Sequence, residues 1–322
     1  MARQRVRLRQ VKAYWPLYLL LLPSLALIAT FMYLPAFSGV LYSFQRWDGD
    51  ELATYVGVEN YAQAFRDPTI GHAFIVVGVL FIASLFKMIP SIITAVVIHR
   101  VISDRARYLY RLLFVVPMVI PSMVVLLIWK FFYDPVVGLL NRFLAAAHVM
   151  DVLVVVNAWL VNAHVVQTTI FQPGRYPAWL GDSDLILPAL IFWGFPWIGI
   201  IGVLIYLSGL EKIPRSVYEC ADLDGIGWFG KFLYIELPLI ATQVRVNLVL
   251  LIVGVLSDYG LMLVLLNDSG GPGGAGMVPG LYMYYNAFVK REAGYACAIG
   301  ILLFFIILAL TVVNNKLVRV EK

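Results

Sequence analysis

The chain has 322 residues, 61% of them hydrophobic and only 13% charged, with a formal net charge of +5. Ordinary globular chains carry about a quarter charged residues, and a mean hydropathy of +0.86 leaves too little polar surface to cover a water-soluble fold. The positive balance reads as asymmetry between loops, which makes membrane lipid a partner and excludes nucleic acid as one.

Crossing about 30 Å of hydrocarbon takes about 20 apolar helical residues, because no backbone group can go without a partner there. Six segments meet that length: 17–40, 73–98, 112–132, 185–207, 246–266 and 293–313. The first follows Arg3, Arg5, Arg7, Arg9 and Lys12 as a secretory signal would. It exceeds the roughly 7–15 apolar residues of a signal, so it is expected to stay as an uncleaved helix. Segment 149–170 is valine-rich with Asp151 as its sole charge, and as a seventh span it would turn every later loop to the other side. Asn157, Asn162, His164 and Gln167 weaken it as a lipid-facing helix, so an extracytoplasmic excursion packed on the membrane surface or on its neighbours is expected.

Orientation follows from the basic residues. Sixteen fall on one side: the five at the amino terminus, Arg100, Arg105, Arg107 and Arg111, then Lys212, Arg215, Lys231 and Arg245, and Lys316, Arg319 and Lys322 in the tail. Seven fall opposite: Arg46, Arg66, Lys130, Arg142, Arg175, Lys290 and Arg291. The positive-inside rule places both termini and the loop 211–238 in the cytoplasm.

Within that loop the chain reads Glu219-Cys220-Ala221, then Gly225, then Ile235-x-Leu237-Pro238. The spacing predicts two short helices joined at a glycine. Pro214 suits a helix start; residues 216–224 can form about two and a half turns, and Gly225 can end them in the left-handed region. A second helix from Trp228 is expected to stop before Pro238. Small side chains at Cys220 and Ala221 let another backbone approach, and Glu219 adds a directional charge, so this is a docking segment and not a reaction site.

At these residues the chain resembles the inner-membrane permease subunits of binding-protein-dependent ABC importers, whose EAA loop has this spacing. Cys220 stands where that family usually has alanine. The resemblance covers nearly the whole chain and points to the maltose-type sugar permeases. It runs through Val56-Gly57-Val58-Glu59-Asn60-Tyr61, Asp67-Pro68, Tyr110-Arg111, Pro117, Pro121, Trp129 and Gly138-x-x-Asn141. It continues through Trp179-Leu180-Gly181-Asp182, Leu210-x-x-Ile213-Pro214, Gly270-Gly271-Pro272, Tyr284-x-x-Ala287-Phe288 and Gly294-Tyr295-Ala296-x-Ala298.

The resemblance implies an all-α polytopic membrane protein with six transmembrane helices and the type I importer permease (MetI-like) fold. Residues 1–72 would hold the basic terminus, the first helix and an outer loop; residues 73–322 would form the permease core, with an insertion at 143–180 and the coupling loop at 211–238. Tyr218, Glu219, Cys220, Ala221, Asp222, Asp224 and Gly225 would meet an ATPase. Implied partners are a second homologous permease, two ATP-binding cassette ATPase subunits, an extracytoplasmic solute-binding protein and a sugar substrate. No cofactor is implied in this chain, ATP and magnesium being held by the ATPase. The expected location is the bacterial or archaeal inner membrane.

Two nucleotide-binding patterns overlap the loop. Gly225-Ile226-Gly227-Trp228-Phe229-Gly230 fits G-x-G-x-x-G, and Gly225 to Lys231 fits the first seven places of a phosphate-binding loop. Both motifs need a preceding buried strand, and Phe232 stands where magnesium chemistry needs Ser or Thr. His72, His99, His148 and His164 are scattered, and Gly181-Asp182-Ser183-Asp184-Leu185 lacks the glycine elbow that exposes a nucleophile. No enzyme is expected, and no disulfide between Cys220 and Cys297.

Polar residues inside the spans mark a pathway. A lysine at mid-membrane costs about 2.5–3.5 kcal/mol to insert, so Lys87 needs a carboxylate partner or a wet cavity; it pairs with Asp258, lines the pathway with it, or snorkels to a polar surface. Trp193, Trp197, Tyr206, Asn247 and Tyr259 could supply the aromatic faces and amide groups of a sugar pathway, and an interfacial aromatic belt explains Trp and Tyr equally. The family often has Asp where Gly260 stands. The alternative from another class is a secondary transporter or channel using Lys87 and Asp258 for ion coupling.

Overall fold

The computed structural model describes residues 14–50, 52–101, 103–163 and 170–317. Arg3, Arg5, Arg7, Arg9, Lys12, His164, Gln167, Arg319 and Lys322 lie outside the described residues. Contacts divide the chain into two units: residues up to Arg66 with Asn286–Ile301, and Asp67–Tyr285 with the residues from Leu302.

In the first unit, α1 (Trp15–Ile28) runs through a π turn (Ala29–Tyr33) into α2 (Leu34–Tyr42). The stretch Tyr18–Tyr42 is apolar and long enough to cross a membrane. Strands β1 (Gln45–Arg46) and β2 (Thr54–Tyr55) pair antiparallel, with Gln45 opposite Tyr55. Helix α3 (Glu59–Arg66) follows. Buried Asn60 donates from Nδ2 to the carbonyls of Ser43 and Gln45, each at 2.9 Å. Gly294 N–H donates to Trp47 O at 2.9 Å, and a Cβ there would lie 2.0 Å from Gln45 O, so only glycine fits.

The second unit opens with α4 (Pro68–Arg100), 33 residues or about 50 Å at 1.5 Å per residue. Asp67 caps it by accepting from Thr69 N–H at 2.8 Å, with Pro68 in the first turn, where its missing N–H costs nothing. Helices α5 (Asp104–Val115) and α6 (Ser122–Phe132) meet at a bend of 85°. The straight 112–132 span is thus corrected to a broken one: Pro121 forces Ile120 into extended backbone.

Helices α7 (Leu139–Ala146) and α8 (Val149–Asn162) bend by 87°. At 14 residues α8 reaches about 21 Å, short of the hydrocarbon thickness. The expected continuous helix 185–207 is two short ones, α9 (Ser183–Phe192) and α10 (Ile200–Leu210). Between them Gly194 and Trp197 take positive φ (80° and 61°) and Pro196 intervenes, which no helix continues through.

Next come α11 (Arg215–Leu223), α12 (Trp228–Lys231), a π turn (Phe232–Glu236), α13 (Leu237–Leu239) and α14 (Ala241–Ser257). The helix begun at Trp228 does not stop before Pro238, contrary to expectation. Hydrogen bonds in the π turn reach back five residues, easing the clash of the proline ring with the carbonyl four residues earlier. The break comes at Ile240 (φ −93°, ψ 14°), with a 70° bend. Asp258 and Tyr259 interrupt the fifth expected span before α15 (Gly260–Leu266). Helices α16 (Pro279–Tyr284) and α17 (Ala293–Leu317) complete the chain.

Three helices among the described residues are long and apolar enough to cross, and three bent pairs bring the total up to six. The α9–α10 segment is in neither group; the pair α7–α8 is in the second. The core of the second unit joins Ile92, Ala95 and Val96 of α4 to Val203, Tyr206, Leu207 and Leu210 of α10 and to Ile240. Between helices in a bilayer such packing stabilises through van der Waals contact rather than through removal from water.

Candidate functional site

Two places in the second unit gather the residues singled out by sequence. In the first, α11 ends in a Schellman turn: Gly225 has φ +70°, Ile226 N–H donates to Ala221 O at 2.9 Å and Gly225 N–H to Asp222 O at 3.1 Å. Ala221 is buried, whereas Glu219, Cys220, Asp222 and Asp224 are exposed. Asp222 pairs with Lys231 across the turn. The helix preceding Gly225 occupies the place where either nucleotide pattern needs a strand. Among the described residues no cluster of His, Cys, Asp or Glu is arranged to hold a metal.

Tyr218 points the other way. Its hydroxyl donates to Glu236 Oε1 at 3.2 Å and lies 3.3 Å from His99 Nε2. Burial, then the adjacent Glu236 carboxylate, pushes the phenol well above its usual value, with Arg100 opposing. Glu236 is wholly buried and held by Arg100 in a fork, Nε to Oε1 at 3.0 Å and Nη2 to Oε2 at 2.7 Å. Arg100 also donates to Trp228 O from both terminal nitrogens at 3.1 Å and lies 4.4 Å above the Trp228 ring. Sequence reasoning missed Glu236. Its one signal was a carboxylate at the free position of Ile-x-Leu-Pro.

The second place is a cavity of about 670 Å³. Lys87, Trp193, Trp197, Tyr206, Asn247 and Asp258 all line it. Tyr259 does not; its ring stacks on that of Tyr284, with centroids 5.5 Å apart. Lys87 and Asp258 share the cavity without forming an ion pair. The Lys87 ammonium donates to Leu190 O at 3.4 Å and Trp193 O at 3.3 Å, capping α9, and stands 5.9 Å over the Trp197 ring. Asp258 Oδ1 accepts from Leu261 N–H at 3.3 Å, capping α15. Each charge thus faces the helix end whose dipole favours it.

Ser91, one turn beyond Lys87 on α4, was missed. Its hydroxyl accepts from Gly199 N–H at 2.8 Å and donates to Trp197 O at 3.3 Å. Lys87 and Ser91 together satisfy backbone groups that the α9–α10 break frees. Irregular backbone at membrane depth survives only where protein or a wet cavity serves it. The indole N–H groups of Trp193 and Trp197 are buried without a partner among the described residues. Aromatic walls with a few placed donors suit a polyhydroxylated solute.

Residues 88–319 match the family described as "Binding-protein-dependent transport system inner membrane component". The Bacillus subtilis protein named "Probable ABC transporter permease protein YurN" is 30% identical over 310 residues, spanning 95% of this chain and 96% of its own. The "Multiple sugar-binding transport system permease protein MsmF" of Streptococcus mutans is 27% identical over 314 residues, with 94% and 95% covered. A chain of a bacterial alginate ABC transporter, solved in complex with an alginate pentasaccharide-bound periplasmic protein, superposes with a TM-score of 0.74 over 97% of this chain and 96% of its own, at 21% identity. That last likeness speaks for the fold alone. The chain belongs to the family of binding-protein-dependent transport system inner membrane components, as a multi-pass permease of the ABC-importer type and a transport subunit rather than an ATPase.

Proposed function

We propose that this chain forms half of the translocation pathway of an ATP-driven importer for sugars or oligosaccharides, and couples to a separate ATPase through the loop 211–238. A second, homologous permease completes the pathway. Two ATP-binding cassette subunits hold ATP and magnesium, and an extracytoplasmic binding protein delivers the solute. Both termini and the loop face the cytoplasm, as the basic-residue count argues.

The observation carrying this reading is the two-sided character of α11. One side presents Glu219 and Cys220 to solvent while the other, through Tyr218, is fastened to Glu236. A helix held behind and open in front suits a partner that pushes. The sugar class is supported by the aromatic cavity and by the name of the Streptococcus mutans relative. The ion-coupled alternative has no specific observation in its favour, since Lys87 and Asp258 each serve a helix end.

Glu219→Lys tests the reading in proteoliposomes holding the complete importer. Membrane insertion should persist while uptake falls by at least about tenfold, the scale of a lost coupling free energy. Unchanged uptake would refute it.

A further inference from the structure

Glu236 sits where a carboxylate is least expected. Its side chain is 0% exposed, whereas the pairs Arg46–Glu59, Arg111–Glu211 and Lys231–Asp222 each keep one partner at least 42% exposed. Removing a carboxylate from water costs several kcal/mol, and an apolar residue of similar volume often serves stability as well or better. A charge-assisted fork contributes something an apolar contact lacks, a fixed mutual orientation of the two groups.

Three segments converge on this carboxylate. Arg100 is the last residue of α4, Tyr218 belongs to α11, and Glu236 closes the π turn that follows α12. Arg100 adds Trp228 of α12 by two hydrogen bonds and by stacking. The far end of the connection is equally specific. Along α4, Ser91 lies nine residues and Lys87 thirteen residues from Arg100, about 14 and 20 Å at 1.5 Å per residue. Those two side chains hold the backbone of the α9–α10 break, which lines the cavity.

We propose that Glu236 is a positioning residue for transport: with Arg100 and Tyr218 it locks the coupling helix α11 to α4, so that a push on α11 is delivered by α4 to the cavity. Its premise is that α11 meets the ATPase. Glu236 touches neither nucleotide nor solute. Without the fork, α11 can still be pushed, but α4 no longer follows in register. ATP is then hydrolysed without a matching passage of solute.

The test uses the complete importer in proteoliposomes. Glu236→Leu strips Arg100, whose side chain is only 18% exposed, of its carboxylate, and misfolding from that alone would mask the effect, so the decisive variant is the double replacement Arg100→Leu with Glu236→Leu, which removes both charges and keeps an apolar contact. The lock predicts that the double variant retains its ATPase subunits and hydrolyses ATP, while the ATP consumed per solute imported rises by about tenfold or more. A ratio equal to that of the unaltered importer overturns the proposal. So does loss of the ATPase subunits or of hydrolysis, because the exposed face of α11 is untouched. Glu219→Lys, run alongside, separates the two ideas: unchanged transport in that variant sinks the docking premise, whereas impaired transport there with a normal ratio in the double variant sinks the lock alone.

Discussion

Replacing Ser91 with alanine removes one oxygen from the α9–α10 break and adds no bulk. That oxygen accepts from Gly199 N–H at 2.8 Å and donates to Trp197 O at 3.3 Å. Gly199 precedes α10, whose first N–H groups have no partner within the helix. A fully buried donor left without a partner costs about 1–3 kcal/mol, but Gly199 is exposed and its bond to Ser91 only part-buried, so the lower end of that range applies. The 3.3 Å contact is long and adds about 0.5 kcal/mol. Gly199 lines the cavity, so water there recovers part of the loss. The expected cost is about 1 kcal/mol, roughly a fivefold shift in the folded-to-unfolded ratio. Denaturant titration of the purified permease in micelles measures it by tryptophan fluorescence, since Trp193 and Trp197 lie within the break. The midpoint should fall at unchanged slope. Ser84 lines the same cavity and is the control; equal midpoints for Ser91→Ala and Ser84→Ala would refute the reasoning.

Lys87→Met should destabilise less than Ser91→Ala, although it deletes a charge. Its two carbonyl contacts are long, at 3.3 and 3.4 Å, and removing the ammonium relieves an insertion cost of about 2.5–3.5 kcal/mol. A larger loss than for Ser91→Ala, in the same titration, would contradict this balance. Tyr218 gives a pH prediction. Burial and Glu236 raise its folded value above the ordinary 10.0, so its contribution is whole below pH 10 and declines above it, where the unfolded phenol ionises first. Melting curves from about pH 8 to 11 should show a steeper alkaline loss for the unaltered protein than for Tyr218→Phe, and parallel profiles would count against it.

Cys220 and its neighbours show how local features survive the step from sequence to fold. The α11 helix and its left-handed end at Gly225 depend on residues within two turns of one another, so the spacing alone foretold them. The motif glycines are legible for a similar reason. Gly294 is required by the 2.0 Å gap to Gln45 O, but which backbone stands there is visible only in three dimensions.

Hydropathy located the apolar segments because bilayer thickness acts on every residue of a span alike. It could not show where a span breaks: Gly194, Pro196 and Gly199 were visible, yet their apolar neighbours kept 185–207 looking continuous. Pro238 misled in the opposite direction, because a π turn ahead of it kept the helix going.

By itself, then, the amino-acid order determined the membrane class, the apolar segments and the form of helix α11, all governed by composition or by interactions a few residues apart. Only the tertiary structure decided that Lys87 answers to the carbonyls of Leu190 and Trp193, and that Arg100 finds Glu236, 136 residues away. The physical reason is that a backbone carbonyl carries no residue identity to match, and a distant carboxylate becomes a partner only when packing brings the two helices together.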